Sequence, residues 1–344
     1  MGVGGGSLVY ANTLPVPEPE FFTAESWGHL ADWQAELESH YGTALKMLGA
    51  DKNPRLFKGD EALRDLALSL GKPEEFKPTN VAVYFGEPEQ TVPDPYFDGA
   101  GPDREGCRFC GGCMLGCRYN AKNTLDKNYL YLAQQLGATI QAESEVYDVH
   151  PLDSEDGADG YRVCWEQATS YFPKKGSFTA KGVIFAGGVL GTVQLLLELQ
   201  ATSLPRLSGT VGHEIRTNSE SLIGVTNPDK DIDFTEGVAI GSIFHTDKWS
   251  HLEPVRYPPG SGFWRLLMAP LVHGKNICVR IWRAVKDFLS HPVQNLKVIF
   301  VRDWSKHTQI LLYMRTLNST LRLSKGRFRM KTSPEAEETP TPFM

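Results

Sequence analysis

The stretch that decides the fold runs from residue 180 to residue 199 and reads AKGVIFAGGVLGTVQLLLEL. Val183 to Ala186 form a short apolar run, closed by Gly187 and Gly188, which reads as a buried strand. The apolar residues that follow predict a helix. Strand, glycine turn and helix in that order is the repeating unit of an α/β sheet. In an open parallel sheet a nucleotide cofactor lies at the carboxyl end of such a strand, its pyrophosphate near the helix N-terminus. A plain crossover without a ligand is the alternative this stretch leaves open.

Working outward, TIQAESEVYDVHPL (139–152) and YRVCWEQ (161–167) read as further strands. NTLDKNYLYLAQQLGA (123–138) is amphipathic, with Leu125, Tyr129, Leu132, Ala133 and Leu136 apolar and Gly137 closing the helix. Nearer the start, SWGHLADWQAELESHYGTALKML (26–48) predicts a helix capped by Ser26. DEALRDLALSLG (60–71) predicts a second, capped by Asp60 and stopped by Gly71, and TNVAVYFG (79–86) predicts a strand. Beyond Asn227 the strand patterns VAIGSIFH (238–245), NLKVIFVRD (295–303), TQILLYMR (308–315) and STLRLS (319–324) suggest a substrate-facing sheet. The domain expectation is a cofactor-binding region over 1–225, a substrate region over 226–330, and a disordered polar tail over 331–344.

The chain has 344 residues, 41% of them hydrophobic and 22% charged, so disorder is not the default. Its net charge of −6 offers no basic excess to neutralise phosphates, which argues against a nucleic-acid partner. The basic run LRLSKGRFRMK (321–331) reads as a solvated strand or hairpin face. The most apolar segment, GFWRLLMAPLVHG (262–274), is too short for a spanning helix and carries Arg265, Pro270 and His273. No signal peptide is visible, so the expected location is cytoplasmic or peripheral to a membrane.

Three stretches carry chemistry. GVGGGSLVYAN (2–12) is a glycine loop whose amides can point at a phosphate or a ring, but it lacks the GxGxxG spacing. The second is the strand–turn–helix at 180–199. The third, CRFCGGCMLGC (107–117), packs Cys107, Cys110, Cys113 and Cys117 into one loop, four of the chain's six cysteines. Their C-x2-C-x2-C-x3-C spacing permits an iron–sulfur cluster, yet Arg118 rather than proline follows the last cysteine, and a bacterial-type motif sends that cysteine to another cluster. Zinc would need a second Cys or His pair. A structural loop with free or locally bridged thiols is the preferred reading and no metal is assigned. Nine histidines show no metal-spaced pair; His245, His251 and His273 fall in the substrate half.

Taken in order, GVGGGSLVYANTLPVPEPEFF, CRFCGGCMLGCRYNAKNTLDKNYLYLAQQLGA and VIFAGGVLGTVQLLL with LSGTVGHEIRTNSESLIGV resemble the glucose–methanol–choline (GMC) flavoprotein oxidoreductases, in the branch similar to cholesterol oxidases. The resemblance implies an incomplete Rossmann-like α/β domain binding FAD, a β-rich substrate side, and oxidation of a CH–OH group by hydride transfer to flavin. The substrate would be a sterol or similar lipophilic alcohol, the electron acceptor oxygen or a carrier, with peripheral membrane contact to reach the sterol. Carried over by position, Gly4, Gly5, Gly6 and Ser7 lie beside the flavin and pyrophosphate. Tyr10, Ala11 and Asn12 lie near the isoalloxazine, although the family usually has Asn where this chain has Tyr10. Val146 holds the adenine through its main chain, Ala186 and Gly187 face the cofactor at a strand end, and Asn218 lies near the flavin. The family's opening GxGxxG unit and its C-terminal catalytic His and partner have no counterpart in this sequence. The expectation is therefore a central fragment, inactive alone, with its catalytic residues unassigned. The other readings left open are an iron–sulfur electron-transfer protein and a non-catalytic remnant.

Overall fold

A computed structural model describes residues 2–229, 231–316, 319–326 and 330–336. In chain order its principal elements begin with α1 (Trp33–Met47), α2 (Lys58–Ser69) and β1 (Phe76–Pro78). Next come β2 (Ser144–Pro151), β3 (Tyr161–Gln167), β4 (Lys175–Ala180), α3 (Val189–Gln200) and β5 (Ser221–Thr226). The last third carries β6 (Ser242–Asp247), β7 (Ser250–Val255), α4 (Ile277–Ser290), α5 (Pro292–Ile299), β8 (Thr308–Arg315), β9 (Thr320–Lys325) and β10 (Met330–Ala336). The chain is thus mixed helix and sheet. Contacts divide it into a larger unit, Ser7–Leu132 with Glu220–Arg315, and a smaller one, Met1–Gly6 with Ala133–Ser219 and Thr316–Met344. These units interleave along the chain, where the sequence suggested regions in series.

In the larger unit five antiparallel strands run in the order β1-β6-β7-β8-β5. Successive side chains alternate between the faces. One face takes α2: Leu63 and Ala67 pack on Phe244, with Phe76, Leu252 and Leu311 around them. The opposite face gathers Ile240, Val255, Ile310 and Leu312 beneath Trp304. Asp60 sits in the first turn of α2. Its carboxylate accepts from the Phe57 N–H at 3.0 Å and the Ser242 hydroxyl at 2.6 Å, and pairs with Arg256, both partners being wholly buried. The pair is Coulombic rather than aligned, since Arg256 Nη2 makes no well-directed hydrogen bond.

Two local expectations shift. The first helix starts at Trp33, where Asp32 accepts from the Ala35 N–H at 3.2 Å, and not at Ser26. The Trp27 and Trp33 rings stack at 5.1 Å, and their indole N–H groups donate to Phe21 O and Trp27 O, which fixes the preceding residues as turns. NLKVIFVRD, expected as a strand, is helical through Ile299. Pro292 opens that helix with its φ already set, and Val293, Leu296 and Ile299 recur at helical spacing.

In the smaller unit β2, β3 and β4 form an antiparallel sheet whose inner residues Val149 and Val163 pack on Leu199 of α3. The basic run forms the antiparallel β9–β10 pair, its residues 327–329 lying outside the described residues. The start of the expected disordered tail is therefore paired strand. Glu335 fastens it, accepting from the Glu214 N–H at 2.6 Å and meeting His213 Nδ1 at 2.6 Å. Residues 337–344 lie outside the described residues. Val183–Ala186 is not a strand: Val183 and Phe185 turn toward the core, whereas Ile184 is 93% exposed and Ala186 is exposed as well. No strand among the described residues pairs with this run, so it has no ladder to join. No described helix is long and apolar enough to cross a membrane.

Candidate functional site

The glycine loop leads into a buried segment of the larger unit. Ser7 Oγ accepts from the Leu125 N–H at 2.9 Å. The Tyr10 hydroxyl donates to Asn123 O at 2.8 Å, and burial, then the neighbouring Cys113, pushes its pKa upward. Ala11 packs into the core. Asn12 is wholly buried in the left-handed conformation, φ 55°. Its main-chain carbonyl accepts from the Ala82 N–H at 2.8 Å, yet neither side-chain Oδ1 nor Nδ2 finds a partner. An orphaned buried amide costs about 1–3 kcal/mol, so a ligand's hydrogen-bonding edge would fit it.

Lys122 was not singled out by the sequence. Its ammonium, in a residue only 1% exposed, donates to Leu8 O at 3.2 Å, Tyr10 O at 2.8 Å and Cys113 O at 2.8 Å. It also lies 4.6 Å from the centre of the Tyr10 ring. No carboxylate among the described residues pairs with it, and burial draws its pKa down to about 8. All four cysteines of the loop, Cys117 included, line one cavity with Val83, Ala121, Lys122 and Gly237.

A second centre lies on the sheet face opposite α2. Glu253 of β7 is 1% exposed and its Oε2 has no partner. Burial, then Glu220, pushes its pKa up to about 7. His251 Nε2 lies 3.8 Å from Glu253 Oε1, and the His245 ring is 5.6 Å from that of His251. Burial, then His245, drives His251 down to about 4. Between those values both members of the 3.8 Å contact are neutral, so it is not an ion pair near neutral pH. An acidic residue in the apolar pattern of SHLEPV is the signal that could have marked Glu253 in the sequence. His273 is off this sheet, in an exposed segment.

The remaining cofactor candidates belong to the smaller unit. Gly4 and Gly5 take positive φ, 107° and 55°, and a side chain on Gly5 or Gly6 would meet no atom within 4 Å. Val146 is half-buried on β2 against the core, while Ala186, Gly187 and Asn218 are exposed. Gly188, φ 86°, caps the start of α3 with open space around it. Asp148, His150 and Cys164 also come together here, the one trio among the described residues with ligand atoms within 4.8 Å of one another.

No protein-family model matches the chain. Among curated proteins it is 41% identical to a cholesterol oxidase of Acinetobacter baumannii over 332 residues, 94% of this chain and 60% of that protein. It is 39% identical to a cholesterol oxidase of Mycobacterium tuberculosis over 364 aligned positions, 99% of this chain and 61% of that protein. The chain spans about 60% of the length of these curated relatives.

Proposed function

Because the chain belongs to the cholesterol-oxidase-like branch of the GMC oxidoreductases, we propose that it serves FAD-dependent oxidation of an alcohol carbon in a sterol or similar lipophilic substrate. The observation that carries this reading is Glu253, a buried carboxyl whose Oε2 has no partner, on the sheet face that also carries His251 and the apolar residues around Trp304. Oxidising a CH–OH group requires a base for the hydroxyl proton, and a base works best with a pKa near the operating pH. Glu253, at about 7, meets that condition without metal or backbone assistance. Ile240, Val255, Ile310, Leu312 and Trp304 make the same face a dry, lipophilic wall. His251, at the border of the buried region, stays neutral and does not compete for the proton.

FAD, when bound, accepts the hydride. Each unit by itself keeps groups open for such a ligand: Asn12 of the larger has an unpaired amide, and the main chain at Gly5, Gly6 and Gly188 of the smaller is uncluttered. We assign Gly4, Gly5, Gly6 and Gly187 to the phosphates through their main chain, with Ala186 beside them. Ser7, Ala11, Asn12 and Asn218 go to the flavin, and Val146 to the adenine. Tyr10 contributes only its ring, because its hydroxyl already serves Asn123 O. Oxygen or a protein carrier takes the electrons onward.

Helix α4 supplies the route to a lipid surface. Ile277, Ile281, Val285 and Leu289 recur every fourth residue and all stand exposed, with Trp282 beside them and Arg280, Arg283 and Lys286 flanking. That is the pattern of a helix lying in a membrane interface. We place the protein in the cytoplasm or at the membrane periphery on this basis.

The test is anaerobic addition of a 3β-hydroxysteroid to the FAD-loaded protein, read at the visible flavin band. The sequence led to the expectation of an inactive chain because it offered no base; with Glu253 as that base the band should bleach, and Glu253→Gln should slow bleaching roughly a hundredfold or more while leaving FAD affinity unchanged. Bleaching by short polyols or sugars and not by sterols overturns the substrate class. Unaltered bleaching by Glu253→Gln removes the assigned base.

A further inference from the structure

Alcohol oxidation leaves the four-cysteine loop without a task. We propose that Cys107, Cys110, Cys113 and Cys117 ligate one [4Fe–4S] cluster, held within the larger unit. A bacterial-type motif sends its fourth cysteine to a second cluster, which is the objection the sequence raised. The fold removes it: Cys117 lines the same cavity as the other three. Neither outlying cysteine is needed as a ligand. Cys164 belongs to the smaller unit, and Cys278 is exposed on α4.

The sulfurs are not gathered around the point a single zinc ion would occupy. A tetrahedral zinc with bonds of about 2.3 Å holds its sulfurs roughly 3.8 Å apart. Among the described residues the Asp148, His150 and Cys164 trio alone has ligand atoms within 4.8 Å of one another, so no three of these four thiols gather that tightly. All four line one cavity instead, Cys107 and Cys113 buried and Cys110 exposed. All six cysteines are free, so no disulfide competes for the loop.

Charge points the same way. The cavity wall holds Lys122 and no carboxylate; Arg108, also on the wall, is already paired with Glu105 and Glu89. Buried Lys122 has only carbonyl partners, an arrangement that lacks its anion. Ligation changes this. Four thiols give up four protons to solvent, and four thiolates on a core of charge +2 leave a net −2 beside the lysine.

The backbone is already shaped to hold such an anion. The Phe109 N–H donates to Cys107 Sγ at 3.4 Å, and the Ala239 main chain hydrogen-bonds Cys113. Phe109 (φ 52°), Gly111 (φ 67°) and Gly116 (φ 96°) turn the loop around the cavity. Gly237 clamps it by exchanging hydrogen bonds of 2.8 Å with Phe109 and Gly111. A side chain on Gly111 would come within 2.3 Å of Thr235 O, so only glycine allows that approach.

The experiment is anaerobic purification, followed by reconstitution with sulfide and equal amounts of ferrous and ferric iron, which together give a core of charge +2, and it does not depend on flavin or substrate. Iron and acid-labile sulfide should each approach four per chain, with a broad visible band that dithionite bleaches and a low-temperature paramagnetic signal in the reduced state. Cys107→Ser or Cys113→Ser should lose most of the iron, whereas Cys164→Ser and Cys278→Ser should keep it. Lys122→Met, which leaves every ligand in place, should shift the cluster's midpoint potential downward. One zinc per chain without sulfide overturns the proposal. So does a wild-type chain with folded circular dichroism that takes up less than one iron, or full iron retention in Cys113→Ser.

Discussion

The two sheets of this chain are built from similar strands and finished differently. The central strands β6, β7 and β8 of the five-stranded sheet are covered on both faces, by α2 on one side and by Trp304 and its neighbours on the other, while Leu222 and Val225 of the edge strand β5 stay exposed. The three-stranded sheet of the smaller unit buries only Val149 and Val163 against α3, while Tyr147 is 42% and Phe178 49% exposed. Ile184, on the run that follows the sheet, is barer still. The difference teaches where this chain keeps its chemistry. Desolvation needs cover from both sides, and it is in the doubly covered unit that Glu253, Lys122, Cys107 and Cys113 are driven far from their ordinary titration ranges.

The sharpest way to break that contrast is to remove half of its buried ion pair. Arg256→Met leaves Asp60 buried without its cation, held only by the Phe57 N–H and the Ser242 hydroxyl, and should cost about 3–5 kcal/mol in urea unfolding of the larger unit. A loss below 1 kcal/mol would mean that Asp60 relaxes to water and that the unit is less closed than its packing indicates.

Next in size is the pH dependence created by Glu253. Its folded pKa, about 7, exceeds the ordinary value of 4.5, so the folded chain binds the proton more tightly than the unfolded one. Stability from this group is complete below pH 4.5 and is lost as pH rises toward 7, by something on the order of 3 kcal/mol. His251 slopes the other way. Its folded pKa is depressed to about 4 from 6.5, so its burial costs stability as pH falls from 6.5 to 4. Glu253→Gln should abolish the decline toward pH 7 and expose the histidine limb alone. An unchanged profile in thermal melts from pH 4 to 8 would show that the carboxyl is solvated.

A smaller effect separates surface function from folding. Trp282→Glu on α4 should weaken sedimentation with anionic sterol-containing vesicles about tenfold while leaving the melting temperature unchanged. A large drop in melting temperature instead would show that α4 packs against protein. The smallest effect belongs to the uncovered run: Ile184→Ser should change stability by no more than about 0.5 kcal/mol. A cost of several kcal/mol would show that this side chain is covered in the working protein.

The readable and unreadable parts of the sequence divide along the same line. α2 was legible because apolar spacing and Gly71 mark it locally, and β3 because YRVCWEQ alternates. NLKVIFVRD misled because a short apolar run fits strand and helix alike, and the proline three residues earlier decided it. Val183–Ala186 misled because a buried-strand pattern guarantees no neighbouring strand. Asn12 was singled out as a member of the glycine loop, but nothing local shows that its amide lacks partners.

By itself the sequence determined the family likeness, three of the five principal helices, several of the strands, and the cysteine spacing that permits a cluster. These depend on residues near one another in the chain. The fold alone decided that Cys117 joins its three companions, that Lys122 lies among them without a carboxylate, and that Glu253 is dry. The cause is desolvation by distant segments. Lys122 is closed in by carbonyls from residues 8, 10 and 113, and Glu253 by strands drawn from residues 242–247 and 308–315. Charge states set by such long-range burial are a property of the packed molecule, and no window of sequence contains them.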